Sequence, residues 1–265
     1  MAYGAIIKNN NMRLVSLNIW HGTLLEELLD FLKKESSNTD IFVFQEMDEW
    51  DKPKNVGGPS DRPGAAKSYS SIKTALKDFI AYKSGVYIPQ LGTFLSIFVR
   101  RTLNVDKKLT VALTGRVKLF GFTTISKLLC LRVHSGEDTF WVCDTHGLLV
   151  SGKWREDTPE RILQSKSTLS TLSKLDGPKI LCGDFNLPPN TETMSMLGKN
   201  MDNMITKYDI HNTRSEHYLK NAKYANGAEI TDHILVSEGI TVKNFEVMKE
   251  EVSDHLPLSI EFEIK

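Results

Sequence analysis

The chain has 265 residues, 40% hydrophobic and 25% charged, the balance of a globular protein and not of a disordered, collagen-like or membrane-spanning one. Its 33 lysines and arginines are matched by 33 aspartates and glutamates, which excludes coating nucleic acid through bulk charge while leaving room for one basic groove. No stretch reaches the ~20 consecutive apolar residues of a spanning helix, and the apolar stretch at residues 2–7 is too short for a signal-peptide core. Cys130, Cys143 and Cys182 each lie in an apolar run without CxxC spacing, the pattern of buried free thiols in a reducing compartment. A soluble, cytoplasmic protein without a membrane segment or an obligate protein partner is the expectation.

Residues 12–17 alternate at first and end in Asn18-Ile19-Trp20-His21-Gly22, a strand running into a polar loop; residues 1–11 read as an extension outside the core. Thr23 with Glu26 makes a capping box, and Leu25, Leu28, Leu29 and Leu32 share one face of the helix it opens. Residues 40–46 are a continuous apolar run closing on Gln45-Glu46, as in a strand covered on both faces. Pro53, Gly57-Gly58-Pro59, Pro63 and Gly64 make residues 51–67 a long loop, expected to be mobile. Ile72, Leu76, Phe79 and Ile80 mark a second helix, followed by short strands at 93–100, 117–122, 127–133 and 139–145. Thr158 as N-cap, Pro159 in the first turn and Glu160 open a helix that carries Ile162, Leu169 and Leu172 inward and ends at Gly177-Pro178. Residues 179–182, 230–237, 240–247 and 258–264 are the remaining strands. With no repeat or linker to divide it, the chain from 1 to 265 reads as one domain of two packed sheets with helices outside.

Several strands stop at acidic, amide or imidazole side chains: Asn18, Gln45-Glu46, Asp144-Thr145-His146 and Gly183-Asp184-Phe185-Asn186. Thr231-Asp232-His233 and Ser253-Asp254-His255 add two more polar segments. Brought together, these ends make one pocket carrying Asn18, Glu46, Asp184, Asn186, Asp232 and Asp254 with His146 and His255. Such oxygen donors suit a hard cation, Mg²⁺ or Mn²⁺, and so many carboxylates would repel one another without one. Taken alone, Gly-Asp-Phe-Asn also satisfies an ordinary Asx turn.

In this order, Leu17-Asn18, Gln45-Glu46, Thr145-His146, Gly183-Asp184-Phe185-Asn186, Asp232-His233-Ile234-Leu235 and Ser253-Asp254-His255-Leu256-Pro257 resemble the blocks of the endonuclease/exonuclease/phosphatase superfamily over nearly the whole chain. The resemblance implies a four-layered α/β sandwich, two mixed or antiparallel sheets flanked by helices, and a Mg²⁺- or Mn²⁺-dependent phosphoesterase acting on a phosphodiester through an activated water. It implies that Glu46 binds the metal with Asn18 and Asp254 nearby, and that Asp184 is the general base with Asn186 holding water or phosphate. His146 and His255 would donate to phosphoryl oxygens. Asp232 is expected to orient His255, because neighbours in extended chain point oppositely; by the same rule His233 faces away. Arg116, in a Gly-Arg pair, resembles a family position near the substrate phosphate, against a hairpin turn with a solvated arginine. Lys153, Trp154 and Arg155 follow His146 and come near the pocket, against a solvated loop face; with Arg161 they suggest contact with one or two flanking phosphates.

The departures narrow the reading. Glu229-Ile230-Thr231-Asp232-His233 lacks the Pro-x-Trp-Cys-Asp-Arg signature of inositol 5-phosphatases, and Trp20 with His146 differs from the exonuclease III pattern. No amphipathic membrane-docking segment marks a sphingomyelinase, and no Gly-x-Ser-x-Gly elbow marks a serine hydrolase. A phosphomonoesterase, a sphingomyelinase-like lipid phosphodiesterase and a catalytically silent binding domain are the alternatives. The zero net charge predicts a short footprint on the phosphate-ester substrate, nucleic acid included, with the 51–67 loop folding over it, against a solvated insertion with no role in recognition.

Overall fold

The chain folds into strands whose even and odd residues face different layers, and the central ones are buried on both faces. The computed structural model describes residues 11–48, 68–86, 93–119, 122–153, 155–220 and 229–265. The strands there are β1 (Met12–Asn18), β2 (Ile41–Asp48), β3 (Phe79–Lys83), β4 (Thr93–Arg100), β5 (Asn104–Leu119), β6 (Phe122–Ser135), β7 (Asp138–His146), β8 (Lys179–Asp184), β9 (Met201–Asn203), β10 (Asp232–Ser237), β11 (Ile240–Val247) and β12 (Leu258–Ile264). The helices are α1 (Leu25–Glu35), α2 (Ser68–Ala75), α3 (Pro159–Leu172), α4 (Glu192–Gly198), α5 (Met204–Lys207) and α6 (Glu216–Lys220).

Two six-stranded mixed sheets result, ordered β11-β12-β1-β2-β4-β3 and β5-β6-β7-β8-β10-β9. Each contains one parallel pair joined by a helical crossover, β1-α1-β2 and β7-α3-β8. Leu14, Ile41, Val43, Leu95 and Ile97 of the first sheet pack between the sheets with Leu129, Leu131, Val142, Ile180 and Ile234 of the second. Val15, Leu17, Phe42 and Phe44 face outward onto Leu28, Phe31 and Leu32 of α1, while Cys143 and Leu181 meet Leu172 of α3 and Leu197 of α4. Four layers follow from these three apolar interfaces. All three cysteines are buried free thiols.

This topology decides where the polar ends go. β1 and β2 run parallel, so Asn18 and Gln45 are paired at one end of the first sheet; β7 and β8 likewise end together at His146 and Asp184 in the second. The antiparallel neighbour β10 begins where β8 stops, with Asp232 opposite Asp184. β12 begins beside the end of β1, which brings the preceding segment with Asp254 and His255 there as well.

Local expectations are corrected in four places. Thr23 does not cap α1: its hydroxyl donates to the Trp20 carbonyl, and Leu24 occupies the N-cap without a side-chain bond. Phe79 and Ile80 belong to β3, because α2 ends at Ala75 and the chain turns to pair with β4. Of the strand expected at 117–122, residues 117–119 are the far end of a long β5 starting at Asn104, whose alternation is masked by polar residues on its exposed face; Phe122 opens β6, and residues 120–121 lie outside the described residues. Thr158 does cap α3, but the buried face of that helix carries Arg161, Gln164, Ser165 and Thr168 with Leu172, so Ile162 is only half-buried. Residues 1–10 and the expected loop at 51–67 lie outside the described residues.

Candidate active site

The inter-sheet face of the central strands β1, β7 and β8 turns from apolar to polar toward the strand's end. Leu14, Ser16 and Asn18 share that face on β1, as do Val142, Asp144 and His146 on β7 and Ile180, Cys182 and Asp184 on β8. A polar floor therefore closes one end of the apolar layer. Glu46 breaks this rule, since it has the parity of the outward-facing Phe42 and Phe44. A bulge between Phe44 and Met47, with Glu46 at φ 58°, turns its side chain to the same end. Gly183 allows the floor to be tight: at φ +144° a Cβ there would stand 1.9 Å from the Thr145 carbonyl oxygen.

Asp184 is the hub. Its Oδ1 accepts the Asn186 backbone N–H at 2.8 Å, an Asx turn. Its Oδ2 lies 3.1 Å from Asn18 Nδ2, 3.5 Å from His146 Nε2 and 3.6 Å from His255 Nε2. Asn18 Oδ1 accepts the Trp20 N–H at 3.0 Å, so the two contacts fix the orientation of the amide. Burial raises the Asp184 pKa, but His255, His146 and Arg214 with the Asn186 N–H outweigh it and hold the carboxyl at about 2.

His255 Nδ1 sits 2.9 Å from both oxygens of Asp232, whose Oδ2 also accepts from the hydroxyls of Thr213 and Thr231. Burial and Arg214 push His255 down; Asp232, Asp254 and Asp184 push harder and hold it at about 9. Asp254 lies 3.8 Å from His255 Nε2 on the side away from Asp232, and burial raises its pKa. His233 is on the far side of β10, 2.8 Å from the Leu187 carbonyl, and burial lowers its pKa.

Glu46 reaches the hub from the other sheet, with Oε1 3.9 Å from His146 Nε2 and Oε2 3.0 Å from His21 Nε2. Asn186, at φ 54°, sends its amide nitrogen to the Gly147 carbonyl at 3.1 Å. The donor set fits a divalent cation: Glu46 and Asp254 are the partly exposed carboxylates at the mouth, and Asp184, Asp232 and His255 form a buried group with ligand atoms within 4.8 Å of one another.

The basic residues are placed less centrally. Arg116 is exposed within β5 beside a register shift, opposite Ile125, so the Gly-Arg pair is not a hairpin turn. Lys153 and Arg155 are exposed in the loop after β7, where Lys153 pairs with Glu156; Trp154 lies outside the described residues. Arg161 is corrected: it is 1% exposed and donates to the carbonyls of Leu148, Lys153 and Glu156, stapling the loop instead of facing phosphate. Arg214 had no sequence signal. It is buried, contacts His255 Nε2, lies 3.7 Å from Asp254 and stacks 4.5 Å over Tyr218.

Residues 15–255 match the profile of the Endonuclease/Exonuclease/phosphatase family. Comparison with curated protein sequences finds no significant relative. Among solved structures, the human Nocturnin catalytic domain with bound sulfate superposes with a TM-score of 0.69 at 16% identity, over 98% of this chain and 95% of that one. A mannosyl-6-phosphatase of Bacteroides thetaiotaomicron gives 0.70 at 16%, over 95% and 99%. D. rerio TDP2 complexed with single-strand DNA product gives 0.68 at 14%, over 96% and 99%.

Proposed function

Because this chain belongs to the endonuclease/exonuclease/phosphatase family, whose members hydrolyse phosphoric ester bonds, we propose that it is a Mg²⁺- or Mn²⁺-dependent phosphodiesterase using Asp184 to activate water. The observation that carries this reading is the convergence on Asp184 Oδ2 of Asn18, His146 and His255, with Glu46 beside His146 across the gap between the sheets. Nocturnin binds sulfate and TDP2 a single-strand DNA product in the compared structures, which supports an anionic phosphate-ester substrate, nucleic acid among the candidates. In this reading the chain from 1 to 265 is one catalytic domain, with residues 1–11 an extension outside its core.

Glu46 would hold the cation, with Asp254 near it and Asn18 acting through Asp184. When bound, the cation offsets phosphoryl charge and polarises the P–O bond. His146 and His255 donate to non-bridging oxygens as charge builds, and Asp232 keeps the His255 ring aimed by binding Nδ1. Asp184 at about 2 is a weak base while it holds these donors to itself. Substrate oxygens that take over the His146 and His255 donors release Asp184, and its basicity rises as it takes a proton from the attacking water. Asn186 shapes that turn and contacts the water or phosphate. Arg116, Lys153 and Arg155 would meet flanking phosphates at the rim.

The test is a panel of bis(p-nitrophenyl) phosphate, p-nitrophenyl phosphate and a short single-stranded oligonucleotide, each with Mg²⁺, with Mn²⁺ and after exhaustive chelation. Diester turnover that is lost on chelation is expected. Turnover indifferent to chelation, or no turnover of any ester, contradicts the reading.

A further inference from the structure

His21 stands at the corner where β1 leaves the first sheet, and nothing in the mechanism above uses it. The backbone builds this corner deliberately: Trp20 and His21 have φ of 49° and 56°, and Gly22 packs so closely on Ser68 that a Cβ would meet it at 2.8 Å. Ser68 in turn hydrogen-bonds the backbone of Asp48. The result is an imidazole held between two carboxylates, Nδ1 at 2.9 Å from Asp48 Oδ2 and Nε2 at 3.0 Å from Glu46 Oε2. Asp48 is 5% exposed.

A metal-ligating histidine characteristically donates its other ring N–H to a carboxylate, which fixes the tautomer and makes the free nitrogen a better donor. Asp48 and His21 have that relation, and the second nitrogen points at the carboxylate read above as the cation holder. The separation fits as well. Two neighbouring donors of an octahedral ion at about 2.1 Å stand about 3.0 Å apart, which matches the distance from His21 Nε2 to Glu46 Oε2. From this geometry we infer that His21 is a nitrogen ligand completing the Glu46 cation site, with Asp48 as its orienting carboxylate, and that the site prefers Mn²⁺ over Mg²⁺. A nitrogen donor shifts an oxygen-rich site toward first-row transition ions, because imidazole suits them better than it suits Mg²⁺. The inference rests on the reading of Glu46 as the cation holder.

The test measures binding, not turnover. Mn²⁺ is titrated into metal-free protein and the free ion followed by electron paramagnetic resonance, with Mg²⁺ added as competitor. His21→Ala is expected to weaken Mn²⁺ binding by at least ~10-fold, and Asp48→Asn by about 10- to 100-fold, the range for losing an orienting partner. The Mn²⁺ over Mg²⁺ preference should collapse in His21→Ala. Unchanged Mn²⁺ affinity in that variant overturns the proposal. So does tighter binding, which would make the ring a proton-carrying counter-ion that competes with the metal. If His21→Ala does not fold, Asp48→Asn decides alone, since it keeps side-chain shape; unchanged Mn²⁺ affinity there overturns the proposal. Glu46→Ala separates the two claims: loss of binding in Glu46→Ala but not in His21→Ala sinks this inference only, whereas intact binding in Glu46→Ala sinks the reading beneath it.

Discussion

Both carboxylate oxygens of Asp232 lie within reach of His255 Nδ1, and two threonine hydroxyls hold that carboxylate still. A ring fixed in this way loses its aim when Asp232 is neutralised, so Asp232→Asn and His255→Gln should each lower kcat. The double variant should lose little more than the worse single one, because the two side chains act as one unit. A double-mutant cycle checks this, and multiplicative losses would show that they act separately. At this scale the sequence is informative wherever a polar side chain ends an apolar strand, as with Asn18, His146 and Asp184. Arg214 escaped because it sits in an irregular segment whose place beside His255 is created by tertiary pairing. His21 is ambiguous in the sequence, close behind Asn18 but in a left-handed turn that spacing does not reveal.

Between elements, β2 and β7 meet across the inter-sheet layer through a buried polar contact, Gln45 Nε2 donating to Asp144 Oδ1 at 2.7 Å. It lies one residue from Glu46 and two from His146, so it ties together the strand ends that carry them. Asp144 is fully buried, and burial raises its pKa well above the usual carboxylate range. A carboxyl raised in the folded state favours folding below its unfolded pKa near 4, and that contribution is lost as pH rises toward the folded value. Asp144→Asn keeps the acceptor oxygen without the charge. Its Tm relative to the natural chain should therefore climb as pH is raised from 4 to 8, read by thermal melting at each pH. A gap that shrinks over that range would mean the carboxylate is ionised and stabilised. The strands themselves were legible because most are short apolar runs closed by polar residues or breakers. That pattern failed for the start of β5, whose exposed residues are polar on a long hairpin, and for Phe79 and Ile80, whose apolar spacing fits a helix as well as an edge strand until pairing with β4 decides it. The bulge that aims Glu46 has no sequence signature, although the Gln45-Glu46 pair marks its place.

Over the whole molecule, charge balance and the fate of the basic residues point the same way. Lys153 is paired with Glu156 and Arg161 is spent on backbone carbonyls, leaving Arg116 and Arg155 as the exposed cations with no ion pair among the described residues, of those assigned to substrate. Binding to long duplex DNA should then depend only weakly on salt, with a log–log slope of about −2.7 or shallower, the value for three phosphates. A steeper slope measured by salt titration would argue for a broad nucleic-acid surface instead. The order of the six blocks was readable from the chain because each falls at the end of a strand or just before one. Their convergence depends on two parallel crossovers that place four strand ends on one side, and only the sheet topology supplies that.

The claim that water attack depends on Asp184 is tested most directly by the rate of bis(p-nitrophenyl) phosphate hydrolysis in Asp184→Asn with Mn²⁺ present. The variant keeps the shape of the side chain and removes its basicity. A drop of at least ~10²-fold in kcat with an unchanged far-UV circular dichroism spectrum is the predicted result; turnover near that of the natural chain would contradict it.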